Sequence, residues 1–498
     1  MTVRERTEAL FRFEETHPVS ETRYRGMAVW PLMRLRFLQA MAREQADPDA
    51  EETSERVEKR PVPGREEQRR IRMEREIGDW VRTEASKLVS GNDLYLIQSS
   101  KVVENEGKPP FHRLFDSLIE LTGSRENARF VFWNDGGEVI DPRSLLSPSI
   151  PFTPLFGKMR RLTRDWMEHE TDIVSAQAVM ELAEKWNAEN ASFQIDVERL
   201  VQDCEILVRL VEVFQQLLAI RPRSVFLTCY YSLPALALAQ ACRTLEIPCI
   251  EMQHGQQGDW HSLYTHRSQA AMTIRDFFPS HFWAWGESAQ ERMRKWWRPE
   301  VMDTYLGGNP WIAYRADSST RVSRARQRDA GERKICMISM QSSELDEFVI
   351  DTIKRRTDLK WWFRLHPRHF GDLEKFRSRC ETTFGTKVSW EVDQASTSDL
   401  YDLFAEVDVH LTGWSTTAHE AIHFGVPTVL IHPNGKSAMG EAIAAGVFGY
   451  AEDSDTLSGL IDSPPFRTDI EPLMRADRRE LNRVFNQLVG PSKSALMR

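Results

Sequence analysis

The sequence predicts an α/β fold built from two Rossmann-like domains in tandem, each around a parallel sheet. The length comes first: 498 residues exceed what one hydrophobic core usually organises. The second observation is a strand–helix–strand alternation that occurs twice, from about 224 and again from about 334. The third is the break between them, "AYRADSSTRVSRARQRDAGERK", which is polar, charged and without apolar periodicity.

Bulk composition sets the frame for function. Apolar residues make up 41% and charged residues 28%, and the formal net charge of −9 gives no global attraction to nucleic acid, so no nucleic-acid partner is expected. The six cysteines, at 204, 229, 242, 249, 336 and 380, form no C-x-x-C pair and suit a reducing compartment. The N-terminus has no apolar signal-peptide core, and nowhere do about 18 apolar residues run together. The expectation is a cytoplasmic protein, with the inner face of the plasma membrane as the one peripheral contact left open.

In chain order, residues 1–90 read as a helical segment carrying a charged insertion at 47–76. Eight acids alternate with eight bases between Glu51 and Glu76, which argues for a solvated insertion or helix and against a basic arm. The first sheet domain spans 91–311. "NDLYLIQSS" and "ARFVFWND" are strands, and helical periodicity fills about 160–220. "SVFLTC", "LPALALAQACRTLEI" and "PCIEMQ" then make a βαβ unit. "GGNP" at 307–310 supplies Gly307 and Gly308 as a hinge, and 312–333 is the linker. The second domain spans 334–470: "KICMISM", "KWWFRLHP", "VDVHLT" and "PTVLI" are strands, alternating with helices. A helix within 471–498 closes the chain.

The stretch "LTGWSTTAHEAIHFGVPTVLI" poses the sharpest question. His419-Glu420-Ala421-Ile422-His423 matches the zinc pattern H-E-x-x-H, with Glu441 a conceivable third ligand. Yet Gly425 stops the helix two residues after His423, and Pro427 leads straight into a buried strand. The frame favours a short βα helix beyond a strand end, where ligands bind in doubly wound sheets. Ser415 or Thr416 can cap that helix, and with Thr417 their hydroxyls and N–H groups would face a phosphate. Glu420 would accept from a ribose or sugar hydroxyl.

Here the residues resemble a family. Ser415, Thr416, Glu420, Ala421, Gly425 and Pro427, between two strands, are similar to the donor-site helix of GT-B glycosyltransferases. "RLHP" (364–367) resembles the H-P motif of transferases using cytidine-nucleotide donors, and "EMQHG" (251–255) the H-G loop of the same group. That group makes bacterial capsule and cell-wall polymers and includes polysialyltransferases, Kdo transferases and glycerophosphotransferases. The resemblance covers about 220–435. It implies sheets facing a central cleft, a nucleotide-sugar donor in the second domain, and a glycan or glycolipid acceptor in the first. A CMP- or CDP-linked donor is favoured, with a UDP-sugar as the alternative. The nucleotide-sugar is a substrate, so no cofactor and no metal are expected.

Roles follow from position. His254, in a loop with Gly255 and Gly258, is the candidate base for an acceptor hydroxyl, with Glu251 and Asp259 as competing bases. Gly255 and Asp259 would line the acceptor. The bland alternative is that His254 only hydrogen-bonds backbone or acceptor. His366 at a strand end would stabilise charge on the departing phosphate, beside Arg364, Pro367 and Arg368. The alternative is a strand-end histidine bonded to backbone, with the arginines in ion pairs. Gln341 and Ser342, with Ser343, resemble the loop near the donor phosphates, or form an ordinary polar loop. "RMRKWWRPE" (292–300) and "GKMRRLTRDWMEH" (157–169) either touch a membrane or polymer or pack their tryptophans inward. Two other functions stay open: a non-catalytic nucleotide- or glycan-binding protein, and a nucleotide-sugar epimerase.

Overall fold

A computed structural model of the chain describes residues 3–43, 65–89, 91–98, 102–105, 108–134, 140–170, 173–255, 257, 260–318, 332–342, 344–467 and 473–490. Most of the charged insertion, 47–64, and the linker stretch 319–331 therefore lie outside the described residues.

The chain starts with α1 (Val3–Thr16), a small hairpin of β1 (Arg23–Tyr24) and β2 (Met27–Ala28), α2 (Trp30–Arg43) and α3 (Arg65–Ala85). These elements are part of the first core. Leu10, Phe13, Trp30 and Phe37 are buried in one cluster with Trp186, Leu207 and Phe214.

The first domain runs β3 (Asp93–Gln98), β4 (Val102–Asn105), β5 (Lys108–His112), α4 (Phe115–Thr122), β6 (Ala128–Trp133) and β7 (Ser149–Pro151). Three helices follow, α5 (Thr153–Glu170), α6 (Ile173–Glu189) and α7 (Val197–Leu217). Then come β8 (Ser224–Leu227), α8 (Leu233–Thr244), β9 (Cys249–Met252), β10 (His281–Ala284), α9 (Glu287–Trp296) and β11 (Asp303–Leu306). Seven strands form one parallel sheet in the order β11-β10-β9-β8-β3-β6-β7. β3, β8 and β9 are buried at every position, as strands covered by helices on both faces must be. Helix α8 shows the local logic. Ser232 caps it by accepting from the Ala235 N–H, and Pro234 fits its first turn. Burying leucines such as Leu236 and Leu238 stabilises by about 1.5–3 kcal/mol each.

Helix α10 (Pro310–Ser318) follows Gly307 and Gly308, so the expected linker begins as a helix. Both glycines are required by packing. A Cβ on Gly307 would strike the Trp283 ring, and Gly308 has φ of +77° with the Arg475 carbonyl 2.9 Å from where a Cβ would stand.

The second domain runs β12 (Ile335–Ser339), α11 (Glu347–Arg355), β13 (Lys360–Arg364), α12 (Leu373–Phe384), β14 (Ser389–Glu391), α13 (Asp393–Thr397) and α14 (Leu400–Phe404). It continues with β15 (Val409–Thr412), α15 (Thr417–His423), β16 (Thr428–Leu430), α16 (Pro433–Ala444), β17 (Gly449–Tyr450) and α17 (Ser454–Asp462). Its parallel sheet has the order β14-β13-β12-β15-β16-β17. The last helix, α18 (Arg478–Val489), returns to the first domain: Phe485 stacks on Phe226 at 5.9 Å, and Asn482 donates to the Leu121 carbonyl.

Two Rossmann-like domains in tandem are the α/β architecture expected from the sequence. In each sheet the chain changes direction once, between β3 and β8 and between β12 and β15, and ligands of such sheets bind at the carboxyl ends beside that switch. No described helix is long and apolar enough to cross a membrane.

Candidate active site

His254 stands two residues beyond β9, at the carboxyl edge of the first sheet. Its Nδ1 lies 3.3 Å from the Met252 carbonyl and 3.5 Å from Glu251 Oε1, and its Nε2 lies 2.9 Å from the Tyr231 hydroxyl. A carbonyl only accepts, so in the neutral ring Nδ1 carries the hydrogen and Nε2 offers the lone pair. Tyr231 is placed there by Cys229, whose φ of +55° turns the chain sharply after β8. Tyr230 then goes inward, donating to the Leu263 carbonyl, while Tyr231 stays half-buried.

Glu251 requires a correction. It was expected to compete as a base, but it is fully buried within β9. One carboxylate oxygen accepts from the Tyr264 hydroxyl and the other from the Tyr230 N–H at 3.2 Å. Burial pushes it up to about 8, with His254 pulling the other way. Glu251 therefore cannot reach an acceptor hydroxyl, and it sits behind His254. Gly255 accepts from the Gln253 side chain at 2.9 Å and leaves open the space that a Cβ would fill. Asp259 lies outside the described residues.

The N-terminal helices hold the loop that carries Tyr264. Arg34 is buried, pairs with Glu14, and donates to the carbonyls of Ser262, Thr265 and His266. Glu14 also accepts from the Ser268 N–H at 2.8 Å and from Trp30. The tryptophans of "RMRKWWRPE" pack the same way: Trp297 is buried and donates to the Tyr264 carbonyl, and Trp296 lies 4.7 Å from His266.

On the second sheet, Gln341 and Ser342 follow β12. Gln341 donates to the Ser339 carbonyl and to Thr412 Oγ1, and accepts from the N–H groups of Gly413 and Trp414. It braces the switch between β12 and β15 and has little capacity left for a ligand. Ser342 closes a local turn with Glu344. Arg364 donates to the carbonyls of Ala395 and Ser398 at 2.7 and 2.8 Å, so it fastens the end of α13 instead of standing open to a phosphate. His366 is half-buried just beyond β13. The backbone then turns through Pro367 and Arg368, whose side chains lie outside the described residues.

Helix α15 starts beyond β15. Ser415 Oγ accepts from the Thr417 N–H at 3.3 Å, while the Thr416 side chain makes no cap bond. Thr417 Oγ1 is buried with no hydrogen-bond partner among the described residues. Trp414, just before them, is 38% exposed and tilts against His432 at 4.5 Å. Glu420, expected to accept from a ribose, is instead buried and takes the Tyr401 hydroxyl at 2.6 Å; Tyr401 in turn accepts from Trp311 Nε1. Burial raises its pKa, with Arg113 of the first domain the main opposing charge.

The two histidines of the H-E-x-x-H run do not converge on a shared ligand. His419 is buried edge-on against Phe448 and pushed down to about 4 by burial, and burial lowers His423 as well. Glu441 is held by Arg292 at 3.0 Å. Among the described residues, no three His, Cys, Asp or Glu side chains are grouped as metal ligands.

Arg292 joins the two halves. Its side chain is 9% exposed; one guanidinium nitrogen donates to the Gln257 carbonyl in the His254 loop, and the other to Glu441 on α16. On the far side, Trp311 and Tyr401 link α10 to α14, and Arg315 pairs with Asp399 at 2.8 Å. The sequence missed Tyr231, Trp414 and Tyr401. The only available signal for the first was "CYYS", two tyrosines directly after an apolar strand.

Two parallel-sheet domains with polar groups gathered at both carboxyl edges define a two-domain α/β architecture. No protein-family model and no curated protein matches the chain. Solved structures with a similar chain path include UDP-GlcNAc 2-epimerase of Methanocaldococcus jannaschii in complex with UDP-GlcNAc and UDP, at 12% identity and TM-score 0.45, covering 80% of this chain and 100% of that one. MurG of Acinetobacter baumannii is similar at 10% identity and TM-score 0.41, covering 80% and 99%. A UDP-forming α,α-trehalose-phosphate synthase from Burkholderia vietnamiensis is similar at 12% identity and TM-score 0.39, covering 82% and 99%.

Proposed function

We propose that the chain is a glycosyltransferase moving a sugar from a nucleotide-activated donor to a surface-polysaccharide or glycolipid acceptor. The observation that carries this is the Arg292 bridge, which ties the His254 loop directly to the helix after β16. It holds the second domain against the loop at the carboxyl edge of the first sheet, as a reaction that joins two substrates requires. The donor lies in the second domain, beside the half-buried His366 and the Thr417 hydroxyl, which is buried without a partner among the described residues. Arg364-Leu365-His366-Pro367 favours a CMP- or CDP-linked donor. The acceptor lies in the first domain, near Gly255. A lipid-borne acceptor would bring the protein to the inner face of the plasma membrane.

His254 serves the acceptor side, taking up the proton released as the acceptor oxygen attacks the anomeric carbon. His366 stabilises the charge gathering on the departing phosphate. Neither role calls for a metal. The test is transfer from CMP-, CDP- and UDP-linked sugars to a hydroxyl acceptor. His254→Ala should lower kcat by about 10²–10⁴-fold, and His366→Ala by about 10²–10³-fold. Nucleotide binding without turnover of any donor would instead assign a binding protein, and release of free sugar without an acceptor would assign an epimerase.

A further inference from the structure

We propose that Tyr231 is the residue that meets the acceptor hydroxyl, and that it passes the proton to His254 as a relay. This rests on the transfer reading above and specifies how its acceptor side works.

Among the described residues, the geometry of His254 places Tyr231 on the direct route to its basic nitrogen. Nδ1 is turned inward to the Met252 carbonyl, so the only lone pair of the neutral ring is on Nε2. The Tyr231 hydroxyl covers that nitrogen at 2.9 Å. The His254 side chain is only 10% exposed, and among the described residues it is the Tyr231 hydroxyl that stands on its basic nitrogen. Tyr231 is not placed to move away. Its ring is packed by Tyr230 at 5.5 Å, Tyr264 at 6.0 Å and His261 at 6.2 Å. It is nevertheless half-buried, not enclosed, and it stands on the loop after β8, the strand beside the switch of the first sheet.

In the step that follows, the acceptor oxygen bonds to the anomeric carbon of the donor. The bond from that carbon to the phosphate oxygen breaks, and its electron pair leaves with the nucleotide. The acceptor proton moves to Tyr231 Oη while the original Tyr231 proton moves to His254 Nε2, so Tyr231 ends the step neutral. The imidazolium is held at Nδ1 by the Met252 carbonyl beside Glu251, and returns its proton to solvent by the reverse path. Glu251, Tyr264 and Tyr230 thus hold the base from behind. His261, half-buried and pushed down to about 4 by desolvation, adds no charge near neutrality. Among the described residues, Cys229 is the remaining titratable neighbour of Tyr231.

The experiment compares wild type, Tyr231→Phe and His254→Ala with CMP-, CDP- and UDP-linked sugars and a hydroxyl acceptor, in mixtures of H2O and D2O. Phenylalanine keeps the ring packing and removes only the relay oxygen. The relay predicts that Tyr231→Phe lowers kcat by about 10²–10⁴-fold with little change in donor KM. It also predicts that the wild-type rate curves with D2O fraction, because two protons move together, and that the residual variant rate does not. If Tyr231→Phe keeps the wild-type rate while His254→Ala loses it, the relay is overturned and direct proton uptake by His254 stands. If wild type turns over none of these donors, the relay and the transfer reading fall together.

Discussion

The carboxyl edges of the two sheets differ in how much of their polar capacity the protein itself consumes. At the first, Tyr231, Met252, Tyr264 and Tyr230 tie the His254–Glu251 pair into a network, and Arg34 and Glu14 fasten the loop behind it. At the second, Gln341 and Arg364 are spent mostly on backbone, yet Thr417 Oγ1 is buried without a partner among the described residues and Trp414 stands 38% exposed. A base must keep one geometry and one protonation state, so its surroundings are built in advance. A donor site instead leaves groups for the ligand to satisfy, and an unmade buried hydrogen bond is worth about 1–3 kcal/mol to whatever makes it.

Substitutions that dismantle the prebuilt edge should therefore have the largest effects on stability. Arg34→Ala leaves Glu14 charged and buried and releases three loop carbonyls. The expected loss is about 3–5 kcal/mol in urea unfolding, against less than 1 kcal/mol if the loop is held by packing alone.

Glu251 sharpens the comparison through pH. Its carboxyl is raised from 4.5 to about 8, so the folded chain holds a proton that the unfolded chain releases. The stability from this group is complete below about pH 4.5 and is lost as pH rises through about 8. Glu251→Gln keeps a neutral side chain of the same shape. Between pH 5 and 8.5 the wild type should lose on the order of 3 kcal/mol more than the variant. Parallel pH profiles for the two proteins would remove the buried-carboxyl argument.

Tyr401→Phe probes the hinge side, where one hydroxyl serves both Trp311 and Glu420. The expected destabilisation is about 1–3 kcal/mol, with the melting temperature as readout. Glu441→Ala should have the smallest effect. Its partner Arg292 is buried, but Glu441 itself is 66% exposed, so less than about 1 kcal/mol of stability is at stake.

Legibility in the sequence followed the reach of each interaction. "SVFL" and "ICMIS" announce strands because a strand buried on both faces is mostly apolar. β10 (HFWA), β11 (DTYL) and β14 (SWE) mix polar with apolar positions within three or four residues, so they do not separate from loops. His254 and His366 could be placed at strand ends, since local alternation alone sets that position. Glu420 could not be understood locally: its environment comes from Tyr401, 19 residues away, and Trp311 beyond it. Tyr231 meets His254 only because β8 and β9 pair in register, and Glu251 is covered by Tyr264 from a later loop. The H-E-x-x-H run shows the same limit, since Phe448 and Arg292 decide what His419 and Glu441 do.

The central claim is a division of labour, with the nucleotide on the second domain and the base on the first. Thermal melts of wild type, His254→Ala and His366→Ala with CMP, CDP, UDP and GDP test it most directly. At about 100 times its Kd, a bound nucleotide adds about 2.7 kcal/mol of stability. One of the nucleotides, CMP or CDP first, should raise the wild-type and His254→Ala melting temperatures equally, and that of His366→Ala much less. No shift with any nucleotide, or a shift lost in His254→Ala and kept in His366→Ala, would contradict it.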